Sequence, residues 1–285
     1  MGANYNNITI FFVSYYSKKF IEKLVKKINK KIKILIIDNA QEKNFKEIFR
    51  KYKNVKLIQS KKNLGQTGGI NIGFKNIKTK YSLYMDSDIN FKSNTIDKFL
   101  KYADEVKDFI ILGPQHERSK YPDSFISTKK SWHKDLVRMK LVHGHFLFFN
   151  MQNVKKVGLY DQNIFLYYDE TDFCLRAYRK RQKIYIIPKL QVYHKGGSSV
   201  NIGSKVEIEV NKHWHFMWSK FYYYKKNYSY FYAVQKTFFD LFIISSKFII
   251  FFFINRRKKL IYYNQLCGLI NSYLGKKPYK RLDLK

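Results

Sequence analysis

Cysteine, proline, glycine and acidic residues are all scarce in this chain. Two cysteines, Cys174 and Cys267, in 285 residues are too few and too far apart for a disulfide framework or a zinc cluster, and they suit a reducing compartment. Four prolines and thirteen glycines leave no low-complexity linker, and no repeat of solenoid or propeller period is visible. A continuously folded chain follows, long enough for one large α/β domain with an appendage or for two small domains. The start, Met1-Gly2-Ala3-Asn4-Tyr5-Asn6-Asn7, lacks the basic region, apolar stretch and cleavage site of a secretory leader, and residue 6 is not the Ser or Thr of a myristoylation signal. The expectation is a cytoplasmic location, including the cytoplasmic face of a membrane.

Acidic residues number 21 against 55 Lys and Arg, a formal charge of +34, alongside 24 Tyr and 25 Phe. An AT-rich genome favours Lys, Asn, Ile, Phe and Tyr, but it favours Glu as well, so codon bias explains the sign imbalance only in part. Such a surface attracts anions, among them nucleic acid, anionic lipid and phosphorylated small molecules. No RRM, KH or zinc-finger pattern accompanies the charge. Carboxylates cluster where a ligand would sit, and there they would repel a bare phosphate backbone; nucleic acid is therefore not the expected partner.

Residues 8–13 are an apolar, β-branched and aromatic run ending at Ser14, the pattern of a buried parallel strand. Residues 18–30 place Phe20, Ile21, Leu24, Val25 and Ile28 on one helical face with lysines opposite. A second strand over 32–37 closes on Asp38-Asn39-Ala40, a helical segment holds Phe45, Ile48 and Phe49, and a third strand covers 55–58. This βαβαβ order predicts an α/β fold, a mostly parallel sheet with helices on both faces and ligands at the carboxyl ends of the strands. The Gly-rich connection Asn63-Leu64-Gly65-Gln66-Thr67-Gly68-Gly69-Ile70-Asn71-Ile72-Gly73 runs into a helix and suits close approach of backbone to a ligand, or a plain turn and helix cap. It is neither a Walker loop nor a dinucleotide fingerprint, so ATP hydrolysis and NAD chemistry find no support. A fourth strand, 81–85, ends in Asp86-Ser87-Asp88. Paired carboxylates there offer hard oxygen ligands for a metal-bound diphosphate, although such pairs also occur on ordinary solvated turns.

With these residues in order, the chain resembles the family 2 glycosyltransferases of the GT-A fold, in particular their rhamnosyltransferase-like and galactofuranosyltransferase-like branch. The resemblance rests on Ser14-Tyr15-Tyr16, Asp38-Asn39-Ala40, the 63–73 loop, Asp86-Ser87-Asp88, Val157-Gly158-Leu159-Tyr160-Asp161, Phe165-Leu166-Tyr167-Tyr168-Asp169-Glu170-Thr171-Asp172, and Val192-Tyr193-His194-Lys195-Gly196-Gly197-Ser198-Ser199. It implies inverting transfer of a sugar from a nucleotide diphosphate-sugar, such as dTDP-rhamnose or UDP-galactofuranose, to a hydroxyl of a glycan or lipid-linked glycan. It implies Ser14, Tyr16, Asp38, Asn63, Gly68, Gly69, Asn71, Asp86 and Ser87 around the nucleotide-sugar, with Asp38 facing the base; a helix N-cap is the other reading of Asp38. A divalent cation, Mg²⁺ or Mn²⁺, is implied on Asp88 and His194, with Asp86 beside it on the ion or its water shell. The acceptor hydroxyl must lose its proton during attack, and the resemblance places the general base at Glu170. The order Asp169-Glu170 departs from the family's usual Asp at the second position, which keeps Asp169 as the alternative. Asp172 and Arg176 have the spacing of an orienting ion pair. His143-Gly144-His145 is a second departure, where relatives tend to carry Ser-Gly and an apolar residue; contact with donor or acceptor and metal binding are its two readings.

The catalytic region is thus expected over residues 1–205, with the nucleotide-sugar part in 1–112 and the acceptor part in 113–205. Residues 206–285 form a helical, aromatic and basic region. Residues 241–254 are apolar except for Ser245, Ser246 and Lys247, and Arg256-Arg257-Lys258-Lys259 follows. That run is shorter than the roughly 20 residues of a spanning helix. It suggests a helix lying in an anionic membrane interface, on the inner face of the plasma membrane. A buried helix and a true span are the competing readings.

Overall fold

In the computed structural model the described residues are 4–116, 121–128, 135–196 and 205–282; Gly197, Ser198 and Ser199 of the last sequence motif lie outside them. The strands are β1 (Ile8–Ser14), β2 (Lys33–Asp38), β3 (Val55–Gln59), β4 (Tyr81–Met85), β5 (Ile89–Phe91), β6 (Ile111–His116), β7 (Ile126–Thr128), β8 (Val137–Met139), β9 (Phe146–Asn150) and β10 (Ile184–His194). The helices are α1 (Lys18–Lys27), α2 (Phe45–Phe49), α3 (Gly65–Asn76), α4 (Thr95–Val106), α5 (Met151–Val157), α6 (Asp169–Arg179), α7 (Lys205–Asn227), α8 (Tyr230–Ile254) and α9 (Arg256–Tyr273). Two compact units divide the chain. One comprises Met1–Leu64, Gly68–Tyr160 and Phe173–Asn201; the other comprises Gly65–Thr67, Asp161–Asp172 and Ile202–Lys285. The acidic segment Asp161–Asp172 therefore groups with the C-terminal helices, a finer division than the single break expected near residue 205.

The first unit is one sheet in the order β3-β2-β1-β4-β9-β6-β10-β8-β7, with β5 paired to β10. Strands β3, β2, β1, β4, β6 and β10 run one way, and β9 is inserted antiparallel between β4 and β6. Alternate side chains feed two cores. Ile8, Ile10 and Phe12 of β1 join Ile34 and Ile36 of β2 on one face, whereas Phe11 joins Leu35 and Ile37 on the other. Burial on both faces is why these strands read as unbroken apolar runs. Polar groups then concentrate at the strand ends, where the cores stop.

Helix α3 contains the Gly-rich connection. A Cβ on Gly69 would come within 2.4 Å of Val13 Cγ1, and one on Gly73 within 2.6 Å of Phe11 Cδ2. Glycine weakens a helix by about 1 kcal/mol per residue relative to alanine; here it lets α3 lie directly on β1. These two glycines serve helix-on-strand packing.

The second unit is built on α7, α8 and α9, which pack against one another around Met217, Phe221, Ala233, Ile244 and Leu269. A Cβ on Gly268 would sit 2.2 Å from the Trp214 carbonyl oxygen, so α7 and α9 cross in backbone contact. Helix α8 is 25 residues long and is oriented against the usual rule. Ala233, Thr237 and Ile244 are buried, and Asp240 turns to Lys220 of α7 at 2.7 Å. The opposite arc carries Phe231, Phe238, Phe242, Ile249 and Phe253, spaced seven and four residues apart, which is one face of a helix. Their exposures run from 58% for Phe238 to 92% for Phe253. Helix α9 adds the exposed Leu260, Tyr263 and Ile270 at helical spacing, with exposed Leu274 just past its end. The extensive exposure of α8 rules against the buried-helix reading within the described residues.

Candidate functional site

The Asp-Ser-Asp segment is the connection between β4 and β5. Strand β4 pairs antiparallel with β9, Met85 opposite Phe146, and one step further the Asp86 N–H donates to the His145 carbonyl oxygen at 2.9 Å. Strand β5 pairs antiparallel with the end of β10, His194 opposite Ile89, and the Lys195 N–H donates to the Asp88 carbonyl oxygen at 3.3 Å. Strand β10 reaches this point past a register shift between Ile187 and Gln191. Pro188 lies in that irregularity, where the missing N–H leaves no ladder position empty. Two pairings, remote in sequence, thus bring His194 onto the Asp-x-Asp turn.

His194 Nε2 lies 3.0 Å from Asp88 Oδ1 and 3.6 Å from Asp86 Oδ2. One ligand atom from each of Asp86, Asp88 and His194 falls within 4.8 Å of the others. Opposed ligands on Mg²⁺ stand about 4 Å apart, so small side-chain adjustments would let all three hold one ion. Two carboxylates and an imidazole suit Mg²⁺ or Mn²⁺. Tyr84 Oη donates to Asp86 Oδ1 at 2.6 Å and leaves Oδ2 on the His194 side. Ser87 is buried within the turn. His145 stacks on His194, and burial, with His194 and His143 nearby, pushes its pKa down to about 3. Burial likewise lowers His143.

At the ends of β1 and β2, Ser14, Asn39 and Asn63 join in one polar network. Ser14 Oγ meets Ser17 Oγ at 3.0 Å, and the Ser14 carbonyl accepts from Asn39 N at 2.8 Å. Asn39 Nδ2 donates to Asn63 Oδ1 at 3.1 Å, while Asn39 Oδ1 accepts from Ser60 Oγ and Leu64 N. Tyr16 has φ 51 and its ring meets Tyr15 edge-on at 4.9 Å. Asp38 is 2% exposed. Its carboxylate accepts from the N–H groups of Ala40 and Glu42 and from Gln59 Nε2 at 3.0 to 3.1 Å, which commits it to shaping the turn after β2. Asn71 departs from the ligand-lining expectation. It is 1% exposed, and its amide clamps the Tyr160 backbone, donating to the carbonyl and accepting from the N–H, both at 2.9 Å. Gly68 packs toward Leu64, and Gly69 toward Val13.

In the second unit Asp169 and Glu170 open α6. Asp169 is 3% exposed; burial holds its carboxyl above the usual range despite bonds from Glu170 and local N–H groups. Glu170 is only half-buried and is the carboxylate of the pair that solvent reaches. The preceding Tyr167 and Tyr168 have φ 64 and 61. Left-handed backbone at two consecutive aromatics costs about 1–3 kcal/mol per residue and is characteristic of functional loops. Asp172 is fully buried and is held by Lys226 at 2.7 Å and Asn227 at 3.0 Å. Lys226 also pairs with Asp161 at 2.8 Å. Arg176, expected to orient this loop from one turn along α6, donates to the carbonyls of Val157 and Leu159.

Several of these partners had no local signal. Tyr84 is two residues before Asp86 on the same strand face, so alternation alone would find it. His145 and Lys226 depend on strand register and on a helix 54 residues downstream of Asp172.

Solved structures share this architecture. S. aureus TarS, residues 1–349, superposes with TM-score 0.55 at 14% identity, covering 97% of this chain and 94% of that one. The mannosyltransferase PcManGT of Pyrobaculum calidifontis, in complex with GDP-Man and Mn²⁺, superposes with TM-score 0.61 at 10% identity over 95% and 88% of the two chains. GalNAc-T7, solved with UDP, GalNAc and Mn²⁺, gives 0.53 at 14% identity over 72% of this chain; the match spans only 48% of that longer chain. No curated protein sequence matches. The mixed, mostly parallel sheet shared with these structures is that of the GT-A class. The profile for glycosyl transferase family 2 matches residues 9–161, just over half of the 285 residues. The chain belongs to glycosyl transferase family 2.

Proposed function

We propose that the protein transfers a hexose from a nucleotide diphosphate-sugar to a hydroxyl of a glycan or lipid-linked glycan, with inversion at the anomeric carbon. The observation that carries this reading is the convergence of Asp86, Asp88 and His194 at the ends of β4 and β10. UDP, or GDP-mannose with Mn²⁺, in the solved neighbours supports a diphosphate donor. A divalent cation bound to the three side chains would offset charge on the departing diphosphate. Asp88, His194 and Asp86 would hold that ion; Tyr84 and the His145 carbonyl fix Asp86 in turn. The acceptor oxygen bonds to the anomeric carbon as the bond from that carbon to the phosphate oxygen breaks, and the diphosphate leaves with the electron pair. The acceptor proton passes to Glu170, the more accessible carboxylate of its pair. The Ser14, Tyr16, Asp38, Asn63 and Ser87 region forms the nucleotide side of the site. dTDP-rhamnose, or a related donor such as UDP-galactofuranose, follows from the sequence resemblance. The outward apolar arc of α8 and the adjoining Arg256–Lys259 cluster support attachment to an anionic membrane, the inner face of the plasma membrane, where lipid-linked acceptors are presented.

The test is a panel of dTDP-, UDP- and GDP-sugars incubated with the protein and Mn²⁺ or Mg²⁺, followed by anomer-resolved NMR of donor turnover or transfer. One donor should be consumed, with inversion, and Glu170→Gln should reduce its turnover by at least 100-fold, within the general acid–base range. Retained activity in Glu170→Gln together with loss in Asp169→Asn would reassign the base. No turnover of any donor by the folded protein in the presence of candidate acceptors would contradict the reading.

A further inference from the structure

The histidines of the 143–145 segment have no step in the reaction above, yet their rings are ordered. Tyr121, His143, His145 and His194 form a column. Centroid separations are 4.7 Å from Tyr121 to His143, 5.8 Å from His143 to His145 and 4.8 Å from His145 to His194, with interplanar angles of 19°, 23° and 9°. His116 meets His145 edge-on at 5.5 Å and 87°. The column ends on the imidazole that faces Asp86 and Asp88.

Stacking decides what His145 can do there. An imidazole binds a metal through a lone pair in its ring plane. The ring of His145 lies nearly parallel to that of His194 at 4.8 Å, and among the described residues the converging ligand atoms come from Asp86, Asp88 and His194 without it, so His145 packs on the ligand His194 and is not counted as a fourth ligand. The face of His145 instead restricts tilting of the His194 ring. Its main chain acts on the other arm, because the His145 carbonyl accepts the Asp86 N–H at 2.9 Å. One residue therefore braces both the imidazole and a carboxylate of the triad. Partners outside the ligand shell commonly change metal affinity by 10–100-fold.

We propose that His145 is a positioning residue for the metal site, its ring setting the plane of His194 with His143 and Tyr121 as backing. This rests on the reading that Asp86, Asp88 and His194 hold a divalent cation. The test is Mn²⁺ binding to the full chain without nucleotide, followed by water-proton relaxation and the EPR of free Mn²⁺. His145→Leu, which fills the space without a flat face, should weaken the site about tenfold or more. His145→Phe restores the stacked ring and should bind close to wild type. His143→Leu, one ring further back, should give a smaller loss in the same direction and supplies the reading if His145→Leu does not fold. Wild-type affinity in every Leu variant that folds would overturn the proposal, as would a His145→Phe loss as large as that of His145→Leu in folded protein. Asp88→Ala separates the two levels. If it leaves Mn²⁺ binding unchanged, the metal site itself fails and the proposal with it; if it abolishes binding while the Leu variants bind normally, only the column fails.

Discussion

Replacing Phe242 and Phe253 together with Glu tests the proposed membrane attachment where its energy should be concentrated. The two side chains are 67% and 92% exposed and lie eleven residues apart, on the outward arc of α8 and away from Ala233, Thr237 and Ile244. Fully burying a Phe side chain is worth about 1.5–3 kcal/mol. The pair amounts to roughly one and a half exposed rings; allowing for incomplete immersion, about 2–3 kcal/mol of binding should disappear. At 1.4 kcal/mol per factor of ten, partitioning should fall by about 30–100-fold. The assay is co-sedimentation with phosphatidylglycerol-containing vesicles, with phosphatidylcholine vesicles as the reference. The melting temperature should not fall, because neither ring supports the three-helix core. A double variant that binds anionic vesicles as the wild type does would refute the reasoning, as would a wild type that ignores vesicles altogether. A true span would resist extraction by high salt and alkali. Helix α8 is long and apolar enough to cross a membrane by length and composition, but Asp240 and Lys247 would then enter the hydrocarbon, which is costly.

Two further outcomes concern stability. Gly268→Ala inserts a Cβ 2.2 Å from the Trp214 carbonyl oxygen; α7 and α9 must separate, with a cost of about 1–3 kcal/mol readable by urea denaturation, and an unchanged midpoint would show that the crossing is looser than described. His215 is fully buried beside Phe165, with Nε2 2.9 Å from the Lys280 carbonyl oxygen, and burial lowers its pKa to about 3. Its folded pKa lies below the unfolded value of about 6.5, so its contribution is complete above pH 6.5 and is lost as pH falls toward 3, by up to about 1.4 kcal/mol per pH unit. His215→Phe should therefore be less stable than wild type at pH 7 but lose less stability between pH 6.5 and 4.5; parallel pH profiles would contradict that assignment.

Much of the sheet was legible because burial on both faces leaves an apolar signal that needs no partner to be recognised. Strand β4 was read over the same residues, 81–85, and β1 to within one residue at its end. The Asp-x-Asp turn was legible for the same reason, since the apolar run stops where the core stops. Partners were not legible. Nothing near His194 announces that β5 and β10 pair, and nothing near Asn71 announces Tyr160, 89 residues away. The Gly-rich connection read by composition as suiting ligand approach or a plain turn and helix cap; that Gly69 and Gly73 lie against Val13 and Phe11 inside α3 had no local signal. The apolar count over 241–254 understated α8. Its first half mixes Gln235, Lys236 and Asp240 with an outward apolar arc, and only the packing of α7 and α9 reveals which face is inside.

The most direct test of the central claim is the melting temperature of the purified protein with UDP, dTDP or GDP, in Mn²⁺ and then in EDTA, repeated on Asp88→Ala. Ligand bound only to the native state must raise it. One nucleotide should stabilise the wild type in Mn²⁺, lose that effect in EDTA and fail to stabilise Asp88→Ala. Stabilisation that is indifferent to both EDTA and Asp88→Ala would contradict a metal-assisted diphosphate site built on Asp86, Asp88 and His194.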